Sequence, residues 1–156
     1  MSYHIVLFEP EIPQNTGNIA RTCAATDITL HLIEPLGFEI DEKRVRRAGL
    51  DYWQYVDLRV HKSLDAFLEE YKNHRKFFVT TKAEQSYNEP TYQDGDMFVF
   101  GKESAGLPRW LIDENMDYAI RIPMSKNTMT RSLNLSNSAI LVAYEALRQG
   151  GFENMY

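Results

Sequence analysis

Three polar stretches of this sequence carry residue types that chemistry can use. The first, Glu9-Pro10-Glu11-Ile12-Pro13-Gln14-Asn15-Thr16-Gly17-Asn18, leads into Ile19-Ala20-Arg21. Asn15, Gly17 and Asn18 open a helix poorly unless their polar groups are needed. Arg21 follows among small apolar neighbours, Ala20, Cys23, Ala24 and Ala25. An arginine on such a face snorkels to water or pairs with a carboxylate. Its functional alternative is a fixed guanidinium facing a phosphate or a developing oxyanion. The second stretch is Gly101-Lys102-Glu103-Ser104-Ala105-Gly106-Leu107-Pro108. Its two glycines permit tight turns and let backbone amides approach a ligand, with the Glu103 carboxylate between them. The same spacing also serves simply to reverse a chain. No Gly-Lys-Ser/Thr follows to complete a phosphate cradle. The third stretch is a polar loop from Ser125 to Arg131, continued by Ser132-Leu133-Asn134-Leu135-Ser136-Asn137. A Ser/Asn cluster N-caps a helix, although capping alone does not use so many hydroxyls and amides.

The elements around these stretches read as an alternation of strands and helices. Strands are expected at His4 to Phe8, Leu30 to Ile33, Tyr55 to Val60, Phe77 to Thr81, Met97 to Phe100 and Ala119 to Ile122. Helices are expected at Gln14 to Thr26, Asp41 to Gly49, from an N-cap at Ser63 to about Tyr71, Leu107 to Glu114, and Asn134 to Gln149 with Gly150-Gly151 ending it. Such alternation predicts an α/β fold, a mainly parallel sheet with helices on both faces. Ligands then bind beyond the carboxyl ends of the strands, where the three polar stretches lie. The last helix is apolar on more than one face, with a narrow polar stripe near Glu145 and Arg148. A surface helix needs one apolar face, so a partner subunit is expected on its second side.

The 156 residues suit a single domain, 44% apolar and 25% charged, with Cys23 the single cysteine. That cysteine excludes an internal disulfide framework and fits a reducing cytoplasm; it lies in an apolar small-residue stretch and reads as packing. No apolar run approaches the roughly 18 residues of a membrane helix, and the N-terminus does not resemble a signal peptide. His4, His31, His61 and His74 are scattered without HxxxH or CxxC spacing, so no metal site is expected. No GxSxG elbow marks a serine hydrolase, and no GxGxxG follows the first strand. The net charge of −5 leaves any RNA contact to local clusters, of which Lys43, Arg44, Arg46 and Arg47 form the densest. Acids before bases there also suit a helix dipole.

Together the three stretches resemble the three motifs of the SPOUT (α/β-knot) methyltransferases. Asn15 to Arg21 is similar to the first motif, and Phe100 to Pro108 to the second. Ile120-Arg121-Ile122-Pro123-Met124 with Arg131 to Asn137 is similar to the third. The short TrmL/YibK-type branch also shares Ile5 to Pro13, Ile33 to Phe38 and Lys43 to Tyr52. The resemblance covers essentially the whole chain, though the loop Ser125 to Thr130 is longer than in those relatives. It implies a deep C-terminal trefoil knot, a homodimer, and S-adenosylmethionine-dependent 2′-O-methylation of the wobble nucleotide, cytidine or a modified uridine, in leucine tRNAs. It further implies a cofactor pocket of Val79, Thr80, Gly101, Ile122, Met124, Ser132, Leu133 and Asn134. Arg21 is the implied catalytic residue. A guanidinium with a pKa above about 12 is a poor proton acceptor, so Arg21 is expected to orient the hydroxyl and stabilise emerging oxyanion charge. Asn15, Glu103, Arg131, Arg44, Arg46 and Arg47 are the expected contacts to the RNA substrate. A ribosomal-RNA 2′-O-methyltransferase on the same fold, or a non-catalytic RNA-binding dimer, are the competing readings.

Overall fold

Strict alternation along the strands decides how the layers form. The structure, a computed structural model, describes residues 1–41, 43–130 and 132–156, with the side chains of Arg44, Arg46, Gly49, Leu50 and Asp51 outside the description. In β1 (His4–Phe8), Ile5 and Leu7 face one core while Val6 and Phe8 face another. The same split recurs in β6 (Met97–Phe100), where Phe98 and Phe100 oppose Met97 and Val99. Side chains of period two must partition in this way, so each face of the sheet acquires its own apolar cluster. The first packs under α1 (Pro13–Thr26) and α5 (Leu135–Gln149). The second packs under α3 (Leu64–Glu70) and α4 (Arg109–Glu114). Helices on both faces are thus as the sequence predicts.

Among the described residues the sheet has seven strands, completed by β2 (Thr29–Ile33), β3 (Leu58–His61), β4 (Lys76–Val79), β5 (Gln85–Ser86) and β7 (Ala119–Arg121). The order is β3-β2-β1-β6-β4-β7-β5, and every pairing is parallel. Parallel strands run every carboxyl end to the same edge, so the segments after β4, β6 and β7 emerge together.

Local capping accounts for several boundaries. Ser63 accepts from the Ala66 N–H at 3.1 Å, the expected N-cap of α3. Asn134 accepts from the N–H groups of Ser136 and Asn137 at the start of α5. Two of these boundaries shift and one strand is added. The strand expected from Tyr55 begins at Leu58, after a 3₁₀ turn over Leu50–Tyr55, because its register pairs Leu58 with Leu30 at the head of β2. The helix expected from Leu107 begins at Arg109, with Pro108 extended at its cap and Leu107 turned into the second core. The two-residue β5 has no sequence signature and exists through its pairing with β7. The basic cluster falls on α2 (Lys43–Gly49), where Lys43 and Arg47 are exposed and Val45 is buried.

The second core holds a feature that the spacing of the histidines did not suggest. His4, His31 and His61 lie on β1, β2 and β3, all buried and on one face. His4 Nδ1 meets His31 Nε2 at 2.9 Å, and His31 Nδ1 meets His61 Nε2 at 2.9 Å. His61 Nδ1 then faces Glu70 Oε2 at 3.2 Å. The nitrogens pair one to one along a row instead of converging on a point. Among the described residues no helix is long and apolar enough to cross a membrane.

Candidate active site

The segments leaving β4, β6 and β7 enclose a cleft of about 550 Å³. Val79, Thr80, Gly101, Ile122, Met124, Ser132, Leu133 and Asn134 all line it, as do Asn15 and Glu103. Its volume and mixture of apolar and polar lining suit one small-molecule ligand. Phe100, Leu107, Ile112 and Leu135 add to the apolar wall. The first of the two loop glycines has no substitute here. A Cβ on Gly101 would stand 2.2 Å from the Gly106 carbonyl carbon and 2.3 Å from the Leu107 nitrogen. The chain folds back on itself at this point, with the Gly106 N–H donating to the Lys102 carbonyl at 2.8 Å. Gly106 itself has φ +70, the left-handed region that glycine adopts without strain.

One hydrogen-bonded chain ties the three polar stretches together. The Glu103 carboxylate accepts from the N–H groups of Glu11 and Ile12, each at 2.9 Å. These amides precede α1, whose N-cap residue Ile12 has no side chain able to cap. Glu103 therefore supplies from a distant loop the negative charge that a helix start favours. It also accepts from Asn15 Nδ2 at 3.1 Å, and Asn15 Oδ1 accepts from Asn134 Nδ2 at 3.2 Å. Asn134 in turn caps α5. Glu11 reciprocates by accepting from the Ser104 N–H at 2.8 Å, which holds its carboxyl below the ordinary glutamate range. Asn15 is 5% exposed, so its amide is committed to this chain of contacts. The polar groups at the helix start are needed, as the composition of that stretch suggests.

Residues 2–144 match the SpoU rRNA Methylase family. This chain belongs to that family. The tRNA (cytidine(34)-2'-O)-methyltransferase of Saccharophagus degradans is 50% identical to it, over 96% of this chain and 97% of that protein. The protein of the same description from Methylovorus glucosotrophus is 46% identical, over 96% and 97%. A solved structure described as giving structural insights into the 2-OH methylation of C/U34 on tRNA superposes with a TM-score of 0.91. It is 45% identical, over 97% of this chain and 98% of that one. The C-terminal trefoil knot is implied for this SpoU methylase by its family.

Other expected residues of the SpoU methylase stand elsewhere. Arg21 is exposed on α1 and is not among the cleft residues; its guanidinium lies 5.2 Å from the centre of the Tyr52 ring. Arg47 is exposed on α2, away from the cleft lining. Arg131 lies outside the described residues, as do the side chains of Arg44 and Arg46. Lys82 and Lys102, which the motifs do not single out, also line the cleft. Lys102 falls inside the glycine loop, a signal that was available. Lys82 is three residues past β4, and only the fold brings it to the site.

Proposed function

We infer that this chain is an S-adenosylmethionine-dependent tRNA 2′-O-methyltransferase acting on nucleotide 34, a cytidine or a uridine. The observation that carries the reading is its relatedness along nearly the full length of proteins described as tRNA (cytidine(34)-2'-O)-methyltransferases. The cleft supports the choice of donor, since it is lined by all eight residues that the SPOUT resemblance implies for it. Val79, Thr80, Gly101, Ile122, Met124, Ser132, Leu133 and Asn134 would hold S-adenosylmethionine, which supplies an electrophilic methyl group on a sulfonium. The close approach of Gly101 to the Gly106 and Leu107 backbone shapes the loop that lines that space. The Glu103–Asn15–Asn134 chain holds the loops in place; what they would have to align is the ribose hydroxyl with the methyl group, and such alignment of reactants is worth roughly 7–11 kcal/mol in favourable intramolecular models.

The chain is read as one domain, residues 1–156, working as a cytoplasmic homodimer. What supports the dimer is α5, where Ile140, Leu141 and Tyr144 stay about 40% exposed although the opposite face is buried. Arg21 sits outside the cleft of its own chain on α1, which packs beside α5. A second copy docked on these helices makes Arg21 available to the partner's cleft, where it would orient the ribose hydroxyl and stabilise its developing charge. Arg131, Arg44, Arg46 and Arg47 belong to the proposed RNA contacts, with leucine tRNAs as the substrates.

The deciding experiment incubates the purified chain with labelled S-adenosylmethionine and total tRNA, then maps the modified nucleotide. The expected product is a ribose methyl at position 34. Label in ribosomal RNA alone, on a base, or nowhere would overturn the reading.

A further inference from the structure

The described residues lining the cleft include three ionisable side chains, Lys82, Lys102 and Glu103. Glu103 is fully engaged by two backbone amides and Asn15. The two lysines are not. The Lys82 backbone N–H donates to Thr80 Oγ1 at 3.2 Å, which shapes the turn after β4. Among the described residues its amine has no carboxylate within 4.0 Å, and the side chain is exposed. Lys102 Nζ stands 3.6 Å from Glu9 Oε1, too long for a hydrogen bond, and 6.0 Å from the centre of the Phe8 ring. That arrangement tethers the lysine and leaves its three N–H donors to be filled. The lysines follow β4 and β6, which are neighbours in the sheet.

Two ammonium groups at one cleft, one exposed and one only loosely paired with Glu9, offer donors that an anionic occupant would use and a cationic one would not. S-adenosylmethionine carries a sulfonium, an ammonium and one carboxylate, so its net charge is positive and it gains little from them. The other substrate carries a phosphate on each side of the ribose to be methylated. The chain as a whole has a net charge of −5, so its overall field opposes RNA and attraction must be local. We propose that Lys82 and Lys102 form the phosphate clamp that seats the backbone next to the target ribose in the cleft. This rests on the tRNA reading given above and adds residues that the basic helix α2 and Arg131 do not supply.

The test uses Lys82→Gln, Lys102→Gln, the double variant and the two Lys→Arg variants in the intact protein. A labelled anticodon stem-loop is titrated across a range of salt, and S-adenosylmethionine binding is measured separately. Each lysine removed should weaken stem-loop binding several-fold and lower the log–log salt slope by about 0.7, the value for a single-stranded phosphate contact. The arginine variants should retain the slope, and donor affinity should be unchanged throughout. An unaltered slope would overturn the clamp. So would a parallel loss of donor affinity, which would make the lysines holders of the donor's carboxylate. Stem-loop binding is read without turnover, so a wild-type protein that binds by this clamp yet methylates no tRNA would sink the tRNA methyltransferase reading alone.

Discussion

At the scale of single residues, the site depends on what is missing from Gly101 as much as on what its neighbours present. Gly101→Ala sets a Cβ within 2.4 Å of three backbone atoms of Gly106 and Leu107. Backbone cannot yield as a flexible side chain can, so the loop must open. Donor affinity should fall by at least about tenfold, since the displaced loop is the one that lines the cleft. Gly106→Ala meets nothing within 4 Å and keeps only the strain of φ +70, about 1–2 kcal/mol of stability. Thermal melts and donor titrations of the two variants separate these effects; equal losses of donor binding would show that close approach at Gly101 is not what shapes the cleft. Arg21 makes the opposite case. It is not among the described residues that line the cleft of its own chain, so Arg21→Lys and Arg21→Ala should bind donor normally and lose turnover. Wild-type turnover in both would remove it from the reaction. Cys23 is buried in the first core with its thiol pushed up to about 12 by desolvation, which agrees with a packing role.

At the scale of elements, the histidine row links three adjacent strands and sets a direction for its protons. An ionised Glu70 accepts from His61 Nδ1, which leaves His61 Nε2 as an acceptor. His31 Nδ1–H then donates to His61, and His4 Nδ1–H donates to His31. One carboxylate at the end of α3 thereby assigns the same tautomer to all three rings. Burial opposes protonation of each: His4 and His61 are shifted below the ordinary histidine value, and His31 is pushed down to about 3. Arg59 reinforces the shift in all three and His74 in His4, while Glu70 opposes it at His61 and Asp57 at His4 and His31. Tyr71 packs against the rings and accepts from Arg59 at 2.9 Å. A base whose folded pKa is depressed stabilises the fold above its unfolded pKa. Below about pH 6.5 the unfolded chain takes up protons that the folded row refuses, so stability falls with pH by up to about 1.4 kcal/mol per unit for each such proton. Denaturant midpoints should therefore drop between about pH 7 and 5, before most carboxylates titrate. A flat profile there would show that the row stays neutral in the unfolded chain too or protonates in the fold.

At the scale of the whole molecule, the proposed dimer makes a claim about which copy serves which cleft. Ile140→Asp or Tyr144→Asp puts a charge on the exposed face of α5 and should shift sedimentation toward the monomer, with methylation lost. An unchanged dimer would place the interface elsewhere. If Arg21 acts in the partner's cleft, mixing inactive Arg21→Ala with inactive Gly101→Ala should restore part of the activity. Each mixed dimer then holds one sound cleft opposite one sound arginine. No recovery after confirmed subunit exchange would mean that Arg21 serves its own chain.

Much of this protein could be read directly from residue order. The apolar runs of β1 and β6, the Ser63 cap, the glycine pair of the second loop and the apolar excess of α5 are local patterns, set by bond geometry and side-chain volume within a few positions. The resemblance of the three polar stretches to known motifs added the cleft residues, which the fold then gathered at one edge. Sequence reading failed where partners are remote. Spacing alone starts β3 three residues early, at Tyr55, does not show β5, and leaves the histidines scattered. His4 meets His31 across 27 positions, and Asn134 reaches Asn15 across 119. Glu103 became the cap of a helix far before it, and Lys82 entered the cleft, for the same reason. The order β3-β2-β1-β6-β4-β7-β5 is chosen by which apolar faces and backbone ladders satisfy one another in three dimensions. No local spacing along the chain encodes that choice.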